Sequence, residues 1–333
     1  MRNPLALALA LVVAASALVA GCGGGTSADD AKADPVAAFA DRDASGEALA
    51  YAWPSLVGRT GSDDGVRTAT PQQVKDGIAF VRPYLDPAFQ LQRAGGERYV
   101  RDDYVPPDFD AVEVSNVVTT QPRPDVKVVR YVLSTPDATV PDAGAVLTDE
   151  ATPQLAVFRW DEQRGHWVVV SHANFVTPVA AICEQDPIPV AKVRPDTSAA
   201  DTRLGESLVA QWRDITTGKV RNPGARSPEG QIQLADGRGW PSADGDDTIE
   251  WKPAKAYEVR NPAITRNGDV LVASYDAVAS DITIEGRKYR TLATPRLLTY
   301  LRDSGGAWKQ VGLANFTVPT GVPAGVDCVA AAR

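Results

Sequence analysis

The chain has 333 residues, with 34 Lys and Arg against 42 Asp and Glu, a formal net charge of −8. An acidic surface repels a phosphate backbone instead of releasing counterions from it, which excludes nucleic acid as a partner. The two histidines and three cysteines form no histidine-carboxylate cluster and no pair at zinc spacing, and no Gly-rich phosphate loop appears, so neither a metal nor any other cofactor is expected.

At the start of the chain, Arg2 precedes an uncharged apolar run from Leu5 to Ala20, which leads into Gly21-Cys22. This is the layout of a secretory signal peptide with a small-residue cleavage site. The run is short for a hydrocarbon core of about 30 Å, and Gly-Cys-Gly-Gly-Gly is a poor flank for a spanning helix. A Cys placed directly after the small residues resembles the bacterial lipoprotein signal. That resemblance implies that residues 1–21 are removed, that Cys22 is diacylated with palmitate-type chains, and that the mature protein is extracytoplasmic and anchored to the bacterial cell membrane. Two acyl chains are what stable anchoring requires. Residues 22–34 contain no large apolar side chain and are expected to form a flexible leash, with folding starting at Pro35.

Beyond the leash, Gly46-Glu47-x-Leu49-x-x-x-Trp53 has apolar residues at helical spacing, and 71–80 has a second helical pattern. The segment Pro87-x-x-Gln90-Leu91-Gln92-x-Ala94-x-Gly96 alternates and ends in a turn, predicting a short strand. Strands follow around Glu113-Val114-x-Asn116 and Val126-x-Val128-x-x-Tyr131. The copy closes with a hairpin of Leu155 to Trp160 and Trp167 to Phe175. Glu184 to Ala200 holds Pro187, Pro189 and Pro195 and reads as a semi-rigid linker.

After the linker the same series recurs. Gly205-Glu206 to Trp212, Gln231-Ile232-Gln233, Glu258-Val259-x-Asn261 and Val270-x-Val272-x-x-Tyr275 repeat the first copy in order. Most telling, Ala151-Thr152-Pro153-x-Leu155 with Trp167 and Ala173-Asn174-Phe175 returns as Ala293-Thr294-Pro295-x-Leu297 with Trp308 and Ala314-Asn315-Phe316. Repetition at this scale means two copies of one domain, 35–183 and 201–333. Each has a helix or helices first and a curved antiparallel sheet after, an α+β arrangement.

If Cys22 carries lipid, Cys183 and Cys328 remain, each a few residues past the last strand of its copy. In an oxidising compartment the two pair most simply, two free thiols being the alternative. The bridge would close a loop of about 145 residues and contribute up to roughly 5 kcal/mol.

Tyr84 to Arg93 with Gly96, followed by a strand meander ending in Phe158-Arg159-Trp160, Trp167 and Ala173-Asn174-Phe175, resembles the nuclear-transport-factor-2-like (SnoaL-like, cystatin-like cone) superfamily. The resemblance covers most of both copies and implies a sheet curled around a pocket beneath the first helix. Enzymatic members place an acidic base and a hydrogen-bond donor in that pocket. Candidates here are Tyr131 and Tyr275 with Glu113 and Glu258 on neighbouring strands, the alternative being tyrosines at a rim and glutamates on a solvated face. His166 and His172 share a face if one extended strand holds both, too far apart for a common metal. His172 either lines the pocket or packs, since its counterpart is Leu313. Asn174 and Asn315 either orient a ligand or bond neighbouring backbone. Trp53, Trp167, Trp212 and Trp308 are read as core or interface anchors. Copy two has Gly230 where copy one has Phe89 and lacks much of the second helix, so a well-closed cavity is not expected there. The expected function is a non-catalytic module binding a small apolar ligand or a cell-envelope partner. The alternative is a SnoaL-like isomerase or cyclase with its pocket in the first domain.

Overall fold

The structure, a computed structural model, describes residues 25–58, 71–94, 96–104, 112–134, 151–175, 198–219, 226–242, 250–284 and 286–316. Cys22, Cys183, Cys328 and linker residues 184–197 lie outside them.

Order begins before Pro35. Ser27 caps α1 (Ala28–Ala33) in a capping box with Asp30, and Asp34 caps α2 (Pro35–Ala40) by accepting from the Val36 and Ala37 backbone N–H groups. Thr26 donates its backbone N–H and its hydroxyl to Asp41, each at 2.6 Å. Ala31 is fully buried, and α1 packs on α3 (Gly46–Gly58). Residues 26–34 are therefore helical cover and not leash. A composition without large apolar residues hid this, because the segment is held by caps and by close approach of small side chains.

Helix α3 turns Leu49, Ala52, Trp53 and Leu56 inward. It sits so close to the sheet that a Cβ on Gly46 would lie 2.0 Å from the Thr119 hydroxyl oxygen. Only glycine allows that approach, which explains why Gly-Glu opens the motif in both copies. Helix α4 (Pro71–Val81) forms where the spacing predicts it.

The first sheet contains β1 (Leu85–Arg93), β2 (Arg98–Val100), β3 (Glu113–Arg123), β4 (Val126–Ser134), β5 (Thr152–Asp161) and β6 (His166–Asn174), in the order β2-β1-β6-β5-β4-β3. The second domain opens on α5 (Ala199–Thr216), so the last two linker residues are already helical. Its sheet contains β7 (Arg226–Leu234), β8 (Gly239–Pro241), β9 (Trp251–Lys252), β10 (Ala256–Asn267), β11 (Val270–Ile284), β12 (Arg287–Arg302) and β13 (Trp308–Asn315). The order β8-β7-β13-β12-β11-β10 repeats the first sheet, with β9 added on β11. Both sheets are mixed and not wholly antiparallel, because β1 lies parallel to β6 and β7 to β13. That pairing joins the first and last long strands of a domain and leaves no local turn for a sequence to announce.

The irregularities repeat too. Asn116 and Asn261 adopt φ of 53° and 49° at matched register shifts in β3 and β10. Asn tolerates this left-handed backbone better than most residues, which accounts for the repeated Glu-Val-x-Asn. In β6 a shift at Val170 reverses the alternation of faces, so His166 is out of phase with His172 and the two do not share a face.

Alternate residues of each sheet serve two cores. Val129, Tyr131 and Leu133 face the helices, while Val126 and Val128 meet Val270, Val272, Leu297, Val311 and Phe316 of the other domain. The two sheets thus pack face to face between helical layers. Phe175 and Phe316 stack with centroids 4.4 Å apart. Polar pairs at this contact are related by the repeat: Ser274 donates to Gln90 at 2.6 Å, and the matched Arg130 donates to Gln231 at 2.7 Å. At its margin the nearly fully buried Arg98 side chain pairs with Asp276, and Arg159 with Asp86.

Candidate ligand pocket

In the first cone the described residues between helix and sheet pack aromatic side chains together. Trp53 stacks on Tyr104, and Phe89 and Tyr99 meet Tyr104 edge-on. His172 is buried among them. Trp53 Nε1 donates to His172 Nδ1 at 3.2 Å, so the ring proton sits on Nε2, which faces Gln154 Oε1 at 3.0 Å and the Tyr131 hydroxyl at 3.4 Å. Burial, reinforced by the nearby Arg93 charge, pulls the His172 pKa down to about 3, so the ring is neutral near pH 7. Gln154 in turn donates to Thr152 and to Asn174 Oδ1. Tyr131, His172 and Asn174 are thus brought together in a connected packing network with both imidazole nitrogens engaged. Glu113 and Glu258 are exposed on outer strands and do not join Tyr131 or Tyr275.

The second cone is open. A cavity of about 110 Å³ lies between the end of α5 and the sheet. Its walls are Trp212 and Ile215 from α5, Ile232 and Leu234 from β7, Trp240 from β8 and Trp251 from β9, with Ala277, Ala279, Ile282 and Ile284 along β11. A cavity thus lies in the second domain, where a well-closed one is not expected. Where copy one has Phe89 and Leu133, copy two has Gly230 and Ala277. Leu133 is buried in the first core, whereas Ala277 removes that bulk and leaves room. Trp53 is fully buried, whereas its counterpart Trp212 is half-buried and becomes wall instead of core. The long hairpin of β11 and β12, turned at Gly286 with φ of 77°, carries Ile282 and Ile284 beyond the rest of the sheet to extend the wall.

Polar groups enter this wall in a row. Register places Tyr275, Arg296 and Asn315 directly opposite one another on β11, β12 and β13, all on the cone face. Tyr257 donates its hydroxyl to that of Tyr275 at 3.2 Å. Arg296 donates to Thr294 and to the Pro295 carbonyl. Burial pulls the Arg296 guanidinium below its ordinary value, opposed by Tyr257 and Tyr275, and pushes the Tyr275 phenol well up. Trp240 Nε1 is buried with no hydrogen-bond partner among the described residues. Tyr275 and Asn315 thus line a cavity. Arg296, Tyr257 and Trp240 were missed, although Arg296 occupies the one variable position within the repeated Ala-Thr-Pro-x-Leu.

No Asp, Glu or His lines the cavity among the described residues, and no group of three His, Cys, Asp or Glu there could hold a metal. No described helix is long and apolar enough to cross a membrane. No protein-family model matches the chain, and no curated protein matches it. Among solved structures the chain is similar to a putative Ca/calmodulin-dependent kinase II association domain from Exiguobacterium sibiricum. The identity is 11%, the TM-score 0.30, and the match spans 37% of this chain and 96% of that one. It is also similar to an NTF2-like protein from Cytophaga hutchinsonii, at 14% identity and TM-score 0.26 over 31% and 85% of the two chains. A putative ketosteroid isomerase from Parabacteroides distasonis matches at 9% identity and TM-score 0.28 over 39% and 95%.

Proposed function

We propose that this chain is an extracytoplasmic lipoprotein, held to the cell membrane through a lipid on Cys22, whose second domain binds a small apolar ligand and whose first domain is its packed support. The observation that carries this reading is the contrast between a cone whose described interior packs aromatic side chains and a matched cone with a cavity of about 110 Å³. A largely apolar cavity of that order has room for about one ring, so its size suits a small ligand. An isomerase or cyclase would need a buried carboxyl within reach of a donor, and the described lining contains no carboxyl. Native mass spectrometry of the chain purified from its own host tests the reading, with Ala277→Leu as control. A small molecule retained by the parent and lost in the variant is expected; equal retention by both would place the ligand elsewhere.

The Cys183–Cys328 bridge belongs to the same proposal. Phe175 and Phe316, the last described residues of the two domains, stack on each other, so both chain exits leave from one place. A mass gain of two protons on reduction is expected, and an unchanged mass would remove the bridge.

A further inference from the structure

Only residues 23 and 24 separate Cys22 from Gly25, where the described chain begins. Gly25 packs against the backbone carbonyl of Asp43 so closely that a Cβ on it would lie 2.0 Å from that oxygen. Thr26 follows with its two bonds to Asp41. Three residue steps from Cys22 to Gly25 reach at most about 11 Å, whatever conformation they take. A lipid on Cys22 therefore holds the 41–44 segment close to the headgroups.

That segment belongs to one end of the molecule. Trp167 Nε1, at the start of β6, donates to the Asp41 carbonyl at 2.8 Å, and Lys127, at the start of β4, donates to the Ala44 carbonyl. Arg42 pairs at 2.7 Å with Glu162 in the turn between β5 and β6. The turn between β3 and β4 lies beside it, since the Trp160 backbone N–H donates to the Asp125 carbonyl. The second sheet presents its turns at the same end. Asp269, between β10 and β11, pairs with Arg123 and Arg159 of the first domain, and its carbonyl accepts from the Arg302 backbone N–H at the end of β12.

The cavity sits at the opposite end. Its wall follows β11 from Tyr275 to Ile284, next to the Gly286 turn. From Val270, beside Asp269, to Ala279 in that wall the strand climbs about 30 Å.

We infer that the hairpin-turn end of the molecule rests on the bilayer surface and holds the cavity on the far side, so that the ligand arrives from the aqueous phase and not from the membrane interior. The inference rests on the lipid anchor of the reading above and adds an orientation to it. A tether of about 11 Å is shorter than the climb to the cavity, so the molecule cannot turn its cavity end to the headgroups without pulling the lipid out of them.

The full lipidated chain in phosphatidylcholine nanodiscs containing a gadolinium-chelate lipid tests this, because gadolinium at the headgroups bleaches the methyl signals nearest the bilayer. Val126, at the hairpin-turn end, is expected to lose its signal while Ile282 and Ile284 keep theirs. Inserting about 15 Gly and Ser residues between Gly23 and Gly24 adds roughly 20 Å of reach outside the described residues. The insertion is expected to restore the Val126 signal while the chain stays in the nanodisc fraction. Loss at Ile282 and Ile284, equal loss at both ends, or no loss at either end of a chain that remains in the nanodiscs overturns the orientation while the anchor stands. A chain that stays out of the nanodiscs and carries no acyl mass overturns the anchor and the orientation together.

Discussion

The two cones are built on one plan and finished differently. Strand order, the parallel closing pair, the left-handed Asn bulge and the helix glycine are common to both. What separates them is the set of residues facing inward. The first fills its interior with Trp53, Phe89, Tyr104 and a neutral histidine, and the second replaces Phe89 by Gly230, Leu133 by Ala277 and His172 by Leu313. In two domains with one strand order the shared positions specify the backbone, and the positions that differ specify what the interior does. Packing the sheets against each other lets the filled copy support the open one, since strands β4, β5 and β6 are buried on both faces.

The contrast can be broken most forcefully at the matched tryptophans. Trp53→Ala removes a fully buried side chain and is expected to cost about 3–5 kcal/mol, whereas Trp212→Ala, cut from a half-buried wall, should cost about 1–2 kcal/mol. Denaturant unfolding of both variants checks this, and equal losses would mean that the second cone is as tightly packed as the first. Next comes the domain contact. Asp276→Ala strands the buried Arg98 charge and should destabilise by about 3 kcal/mol while unfolding remains a single transition. Two separated transitions in the parent would show that the sheets do not act as one unit.

The histidine gives a smaller effect that depends on pH. Its folded pKa of about 3 lies below the ordinary 6.5, so between those values the unfolded chain takes up a proton that the folded chain refuses. Stability is therefore complete above pH 6.5 and declines as the pH falls toward 3, by an amount on the order of 1–3 kcal/mol at pH 4 to 5. His172→Leu, the second domain's own residue, should flatten that part of the stability profile, which thermal unfolding across pH 4 to 8 measures. Smallest of all is Ala277→Leu, which fills space and should change stability by less than about 1 kcal/mol while removing ligand binding.

Much of this was legible in the sequence because repetition reports backbone demands. The two domains, the opening helices, the closing hairpins and the second helix of copy one followed from spacing alone. The matched Asn bulges were visible as a repeated Asn without a stated cause. The parallel pair was not legible, since no turn connects its strands. Residues 26–34 were misread because capping and close approach by alanine leave no hydrophobic signature. The cavity of the second domain was not legible from the loss of Phe89, because Ser242 and Gln310 close on Gly230; the exchange of Leu133 for Ala277 is what leaves room. Arg296 stood at a position treated as variable filler, and comparing Gln154 with Arg296 was the available signal. Ile282-x-Ile284, followed by Gly286 and Tyr289, was likewise an unread hairpin pattern.

The most direct test of the central claim is methyl NMR of the chain during titration with benzene. Ile232, Ile282 and Ile284 report on the second cone, and Leu91 and Val129 on the first. The account predicts saturable shifts at the three isoleucines and none at Leu91 or Val129; shifts centred on the first cone, or at no methyl in either, would contradict it.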